Sequence, residues 1–289
     1  MPDPVPLLIA LLIPALAAAA VICAFLWTRK GGWESTPAAG AAAAGFGYLA
    51  GHIAVRGVPS LPPGESTDWI FYLAMAAALI GLVESRLGPR AKAIGRLLIS
   101  TAVPVCLLWR PIRGSFEVWW TAILLPALGG AVFLLWTSLE ALGRRRAGLA
   151  REFLVLLSVA SASAGVLLSG SLILAQLGGA LAASLGAAGL AASLPSFARK
   201  PRMKVAESAS GATAVVLSTV LINGRFYAEL SWTNALLFFL SLFGPWIAQT
   251  MATSRLSPRW RIIAEALSVL LPLAAALGLA FAASPSFDE

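Results

Sequence analysis

The chain has 289 residues, of which 59% are hydrophobic and only 12% are charged, and its formal net charge is +8. Soluble domains carry about 25% charged residues, so this composition excludes an ordinary water-soluble protein and predicts a surface that faces lipid. The basic residues lie in short clusters between apolar runs, which is typical of the cytoplasmic loops of membrane proteins. We therefore expect the lipid bilayer as a partner and no nucleic acid.

Ten apolar segments of spanning length follow one another along the chain, each near the 20 residues that a helix needs to cross a bilayer. The first begins almost at the N-terminus, where Asp3 is the only early charge. A secretory signal would need a basic start, so we expect a retained first span. None of the segments alternates with period two as barrel strands do, so the predicted fold is an all-α polytopic helix bundle. The segments lie at about 4–27, 37–56, 69–85, 94–112, 118–142, 152–170, 174–197, 206–224, 232–253 and 262–283.

Lysine and arginine are divided unevenly between the two sets of alternate loops. One set holds 17 of the 21 basic residues, and the other holds Arg56, Arg110, Arg113 and Arg225. The positive-inside rule places the richer set in the cytoplasm, so both termini would lie outside. We expect an integral protein of the bacterial cytoplasmic (inner) membrane. The 17 residues are Arg29, Lys30, Arg86, Arg90, Lys92, Arg96, Arg144, Arg145, Arg146, Arg151, Arg199, Lys200, Arg202, Lys204, Arg255, Arg259 and Arg261.

Two blocks of the sequence recur at a single offset of 112 residues. Charged and aromatic identities in register, without gaps between the blocks, favour a tandem duplication. The matching blocks are Pro89-Arg90-x-Lys92 with Pro201-Arg202-x-Lys204, and Arg113-x3-Glu117-x2-Trp120-Thr121 with Arg225-x3-Glu229-x2-Trp232-Thr233.

This duplication predicts a division of the chain into four parts. Residues 1–36 are the first transmembrane helix and its cytoplasmic loop, 37–148 and 149–260 are two four-helix repeats, and 261–289 are the last transmembrane helix and an outer tail. Because four is an even number of spans, the repeats would have the same orientation. We expect a pseudo-twofold axis along the membrane normal between them.

Few residues could bind or transform a cofactor. Cys23 and Cys106 lie inside apolar segments without CxxC spacing, and His52 is the single histidine. This set does not suffice for an ordinary zinc, haem or iron–sulfur site, and the cysteines are not placed for a structural disulfide. We expect no cofactor, no metal and no catalytic residue.

Polar side chains that could bind a solute concentrate at the non-cytoplasmic ends of the segments. They predict a cationic vestibule that attracts an anionic solute or a lipid headgroup, with paired ions at i, i+4 in each repeat. The alternative is that the arginines extend to the interface, the glutamates favour helix N-termini and the histidine only packs. The candidate binding residues are His52, Arg56, Arg110, Arg113, Glu117, Arg225 and Glu229.

Glutamates near the cytoplasmic ends have a plainer interpretation. Glu140, Glu152, Glu207 and Glu265 lie close to arginine clusters, and Glu265 is the deepest. We expect interfacial ion pairs there. The serines, asparagines and glutamines of the later segments could line a path, although hydrogen bonding between helices also explains them.

Three functions remain open on these patterns. The leading hypothesis is a small permease or exporter for an anionic or amphipathic solute, with its path between the two repeats. The first alternative is a non-catalytic structural or accessory subunit that binds other membrane proteins. The second is a lipid-modifying enzyme, which is disfavoured because no HExxH, P-loop or nucleophile motif is present.

Overall fold

The computed structural model describes residues 5–28, 37–145, 149–197, 205–250 and 257–283, and in these residues it contains helices and no β-strand. The predicted all-helical fold is confirmed. The α-helices are α1 (Val5–Thr28), α2 (Pro37–Arg56), α3 (Ser66–Val83), α4 (Pro89–Leu107), α5 (Trp109–Gly114), α6 (Val118–Arg145), α7 (Leu149–Leu168), α8 (Leu172–Phe197), α9 (Val205–Ser208), α10 (Ser210–Tyr227), α11 (Trp232–Ser241), α12 (Gly244–Thr250) and α13 (Pro258–Ala283).

Six of these helices are long enough and apolar enough to cross a membrane: α1, α2, α3, α6, α8 and α13. A hydrocarbon core of about 30 Å requires about 20 residues at 1.5 Å rise per residue. The structure is therefore consistent with an integral membrane protein.

Helix ends gather at two opposite faces of the bundle. We define the first face by the turns 57–65, 108–117, 169–171 and 228–231, and the second face by residues 84–88 and the helix ends at 145, 197 and 205. At the first face, the Arg110 guanidinium donates to the Gly64 carbonyl at 2.5 Å, and the Tyr227 hydroxyl donates to the Leu107 carbonyl at 2.9 Å. These bonds join turns that are distant in sequence.

Helix α10 lies at the centre of the described bundle. Every residue from 210 to 224 is buried, and the helix packs against α3, α4, α6, α7, α8 and α11. A helix enclosed by protein does not need an apolar surface for lipid. Its serines, threonines and asparagine can therefore be accommodated by hydrogen bonds inside the bundle.

Small residues allow α1, α2 and α8 to approach closely. A Cβ atom placed on Gly47 would lie 2.7 Å from the Ser184 hydroxyl oxygen and 2.9 Å from the Pro14 carbonyl oxygen. Ala18, Ala43 and Ala188 belong to the small cluster that these helices bury together. Helices in lipid associate through close backbone packing, which explains why position 47 is a glycine and not a larger residue.

Both predicted repeats begin where a helix begins, but the second ends inside a helix. The first repeat begins with α2 at Pro37 and the second with α7 at Leu149, whereas 260 falls in the first turn of α13. Within each repeat the first two long helices pack side by side, α2 with α3 and α7 with α8. The tandem repeat itself stays a prediction.

Candidate functional site

The two turns that the sequence predicts to be equivalent meet at the first face. Phe116, in the turn between α5 and α6, contacts Phe226 at the end of α10 with ring centroids 5.8 Å apart. Phe226 in turn packs edge-on against Trp232 at 5.6 Å. This aromatic contact places the segment around Arg113 next to the segment around Arg225.

Arg113 and Arg225 both rest on tryptophan rings. The Arg113 guanidinium lies 4.1 Å from the ring centroid of Trp109, and that of Arg225 lies 4.9 Å from the centroid of Trp232. Cation–π contacts of this kind hold a guanidinium in place while its N–H groups remain available to an anion.

The expected ion pairs at i, i+4 do not form in either turn. Glu117 lies between α5 and α6, where its carboxylate accepts a hydrogen bond from the Trp119 indole. Glu229 lies in the turn after α10 with a φ of 52°. Since neither glutamate shares a helix with its arginine, the one-face geometry on which the pairing depended is missing.

Two further candidate residues, Arg56 and Arg110, form polar contacts within the first face. Arg56 pairs with Glu65 at 2.6 Å and lies 3.8 Å from the Asp68 carboxylate, while Arg110 holds the Gly64 carbonyl. Arg56 is therefore engaged by one carboxylate of the 57–65 turn and one of the first turn of α3. Arg110 has no carboxylate partner among the described residues.

His52 lies in the core, one helical turn before Arg56 on α2. Its side chain is 0% exposed, its Nδ1 atom is 3.3 Å from the Tyr48 hydroxyl and its ring packs edge-on against Phe71. Its Nε2 atom is buried and has no hydrogen-bond partner among the described residues. This environment agrees with the packing alternative given for this residue.

An open, almost wholly apolar groove runs along α6, α10 and α11 from the first face toward the middle of the bundle. Arg225 and Ser218 are its two polar lining residues, and neither the Arg225 Nε atom nor the Ser218 hydroxyl has a partner among the described residues. The lining residues are Leu128, Ala131, Val132, Ser218, Leu221, Ile222, Arg225, Phe226, Trp232, Ala235, Leu236 and Phe239.

Most hydroxyl groups of α7 and α8 bond to their own helix. The Ser158, Ser163 and Ser184 hydroxyls donate to carbonyls four residues earlier at 2.8–3.0 Å. Such local bonds satisfy a hydroxyl inside lipid or protein without a second helix. These bonds account for the serines without a solute path, and the Ser158 hydroxyl also accepts a hydrogen bond from Ser241 at 3.4 Å.

Sequence reasoning expected an ion pair for Glu140, but it missed the partner Arg96 and the burial of this charge cluster at the second face. Arg96 is 5% exposed, bonds to Glu84 through Nε at 2.6 Å and to Glu140 through a terminal nitrogen at 2.5 Å, and lies 5.6 Å from the Trp136 ring centroid. The positive-inside count treated Arg96 as a loop residue. The available signal was its helical spacing with the buried Ile99, Ser100 and Val103.

Within the described residues, no three histidine, cysteine or carboxylate side chains gather in a way that would hold a metal ion. No family model matches the chain, and no curated protein matches it. Function is therefore inferred from the geometry of this chain alone.

Proposed function

We propose that this chain is a small permease or exporter of the bacterial cytoplasmic membrane for an anionic or amphipathic solute, with its path between repeats 37–148 and 149–260. The contact of Phe116 with Phe226 carries the proposal, because it brings a turn from each predicted repeat together at one face.

Three arginines form a cationic rim around that contact: Arg110, Arg113 and Arg225. None of the three pairs with a carboxylate in the described part of the chain. Charges of one sign beside low-dielectric walls focus the field and raise the local concentration of an oppositely charged solute. The rim therefore favours an anion over a neutral or cationic solute.

We further propose that the chain crosses the membrane ten times. Besides the six long apolar helices, α4, α7, α10 and the consecutive pair α11 and α12 each cover about the length of a bilayer core. The enclosed position of α10 explains why a spanning helix would be less apolar than the lipid-facing ones. With ten crossings and the arginine-rich second face in the cytoplasm, both termini and the rim lie outside.

Transport of a permanently charged probe by purified protein in vesicles tests the function. A single-chain alkyl sulfonate crosses pure lipid slowly, and it is used below the concentration that releases an entrapped neutral dye. We expect its efflux to exceed that of protein-free vesicles and to decline as salt screens the rim. An alkyl ammonium probe with the same chain length reports on the effect of head charge.

The variant R110Q/R113Q/R225Q should reduce the initial rate by about tenfold or more at low ionic strength, because electrostatic attraction is lost. R90Q is the matched control, since Arg90 is an exposed arginine of the second-face end of α4. Efflux equal to that of protein-free vesicles, or equal efflux in the triple variant and the wild type, would overturn the proposal.

An accessory subunit is the second candidate, and one observation favours it. Most residues of α1 and α13 are not buried, so large apolar faces such as those of Leu16 and Leu271 are left without protein contacts. These faces suit lipid or a partner helix equally. Stoichiometric co-purification of another membrane protein in mild detergent, together with absent transport, would favour this candidate.

The lipid-modifying enzyme has no supporting observation. His52, its central residue, packs against Tyr48 and Phe71 in the core. A general base must lie within hydrogen-bond reach of the group from which it removes a proton. The first-face arginines do not provide such an arrangement around His52 in the described residues.

A further inference from the structure

The 57–65 turn presents two large apolar side chains at the first face. Val58 is 77% exposed and Leu61 is 81% exposed, so neither is covered by the described part of the chain. Apolar side chains exposed together mark a surface that contacts lipid or another protein. The position of the turn relative to the lipid-facing helices distinguishes these two partners.

Polar contacts hold this turn in one place on the bundle. The Tyr72 hydroxyl donates to the carbonyl oxygens of Pro59 and Ser60, each at 3.1 Å. The Arg110 guanidinium holds the Gly64 carbonyl at the other end of the turn. Three prolines in the turn restrict its backbone further. The two exposed side chains therefore project from a fixed segment.

Tyr72 locates the turn on the lipid-facing side of α3. Residues 72, 75, 79 and 83 recur at spacings of three and four, so they share one face of the helix. Met75, Leu79 and Val83 are exposed along this face, and α3 is one of the six long apolar helices. Because the carbonyls that Tyr72 holds lie between Val58 and Leu61, the turn lies at the first-face end of a surface that faces lipid.

We propose that Val58 and Leu61 insert into the membrane interface at the first face, between the lipid headgroups and the acyl chains. The 57–65 turn is then a membrane-anchoring contact, and its partner is the lipid surface itself. Because Arg110 holds a carbonyl of the same turn, insertion also sets the depth of α5 at the membrane surface. This inference does not depend on the proposed transport function.

Other surroundings suit these side chains less well. In water, both would remain hydrated next to a bilayer that removes apolar surface from water favourably. A stable protein interface buries about 800 Å² on each partner, far more than two side chains of one turn supply. Lipid needs no such area, and the exposed stripe of α3 continues directly from the turn.

Spin labelling in vesicles measures the depth of the two side chains. In the full-length protein with C23A and C106A, V58C and L61C carry a nitroxide label in phosphatidylcholine vesicles. Oxygen, which concentrates in lipid, and a water-soluble nickel chelate are compared as relaxing agents. L79C gives the lipid-facing reference and S115C the water-facing reference at the first face.

Both labels should show a ratio of oxygen to nickel accessibility between those of the two references. This ratio corresponds to a depth of about 5–10 Å below the lipid phosphates, as for other interfacial segments. Nickel accessibility equal to that of S115C would overturn the proposal. Exclusion of both agents with dipolar broadening between labels would show that a second copy covers the turn, which also contradicts it.

The hydroxyl of Tyr72 provides a second test. Y72F removes the hydrogen bonds that hold the turn against α3, so the L61C label should become more mobile and more accessible to nickel. Y227F is the matched control, because the Tyr227 hydroxyl also donates to a carbonyl at the first face but does not contact this turn. An L61C label that responds equally to Y72F and Y227F would contradict the placement of the turn by Tyr72.

Discussion

Arg96 is the residue whose surroundings differ most from those of an ordinary arginine. It lies buried between the end of α3, α4 and α6, where Glu84, Glu140 and the Trp136 ring enclose its guanidinium. Transfer of an unpaired charge out of water costs several kcal/mol, so a buried guanidinium persists only when its N–H groups are paired. These contacts tie three helices together at the second face.

Replacement of this cation should therefore destabilise the bundle. R96M leaves Glu84 and Glu140 buried near each other without their shared partner, and we expect a loss of about 3–5 kcal/mol in the free energy of unfolding. Denaturant unfolding in detergent micelles measures the change. R90M removes an exposed arginine from the same helix and should change stability by less than about 0.5 kcal/mol. Equal losses in the two variants would contradict a structural role for the cluster.

Residue types alone indicated which arginines could attract an anion but not which were free to do so. Arg113 and Arg225 lie in two segments that the contact of Phe116 with Phe226 brings together, but their glutamates are in turns and bond elsewhere or nowhere within the described residues. Whether a helix continues from Arg113 to Glu117 depends on tertiary packing of the turn. No spacing rule contains that information.

At the scale of elements, close helix packing depends on glycines that the sequence does reveal. Gly47 lies between α1 and α8, and a side chain there would overlap both the Ser184 hydroxyl and the Pro14 carbonyl. Backbone carbonyls cannot move aside without displacing the helix that carries them. The Gly47-x-x-x-Gly51 spacing visible in the sequence is of the kind that lets helices approach closely in lipid, and this contact is an example.

A larger residue at Gly47 should separate these helices. We expect G47L to lower the free energy of unfolding by about 1–3 kcal/mol, because an overpacked core forces shifts of side chains and backbone. G278L is the matched control, since a side chain at Gly278 of α13 meets nothing within 4 Å. The midpoint of thermal unfolding in detergent compares the two. A lower midpoint in G278L than in G47L would show that the α1–α2–α8 contact is not as tight as described.

Two predicted segments are each divided between two consecutive helices, and a proline lies near each division. The predicted segment 232–253 contains α11 and α12, which are interrupted before Gly244-Pro245. The predicted segment 94–112 includes most of α4 and most of α5, which carries Pro111. Proline lacks the N–H that continues a helix, so apolar length predicted these segments correctly as helical and missed their breaks.

At the scale of the whole molecule, hydropathy identifies lipid-facing helices better than enclosed ones. The helical fold was predictable because every apolar segment is long and lacks the alternation of strands. Hydropathy does not identify helix α10 as a spanning helix, because neighbouring helices surround it and accept its polar side chains. Its central position could not be predicted, since one sequence does not show which segment its neighbours enclose.

Sidedness decides whether the cationic rim can act as an entrance. We propose that the bilayer separates the two faces, with the first face outside and the second in the cytoplasm. Ser115 and Ser231 are exposed at the first face, and Gly88 is exposed at the second. An even number of crossings between the two serines places both on the same side, as the tandem repeat requires.

Cysteine accessibility in intact cells measures this sidedness most directly. In a background with C23A and C106A, single variants S115C, S231C and G88C are treated with a membrane-impermeant maleimide. We predict that S115C and S231C react in intact cells and that G88C reacts only after the membrane is permeabilised. Reaction of G88C in intact cells, or protection of either serine position, would contradict the arrangement of faces on which the proposed anion path depends.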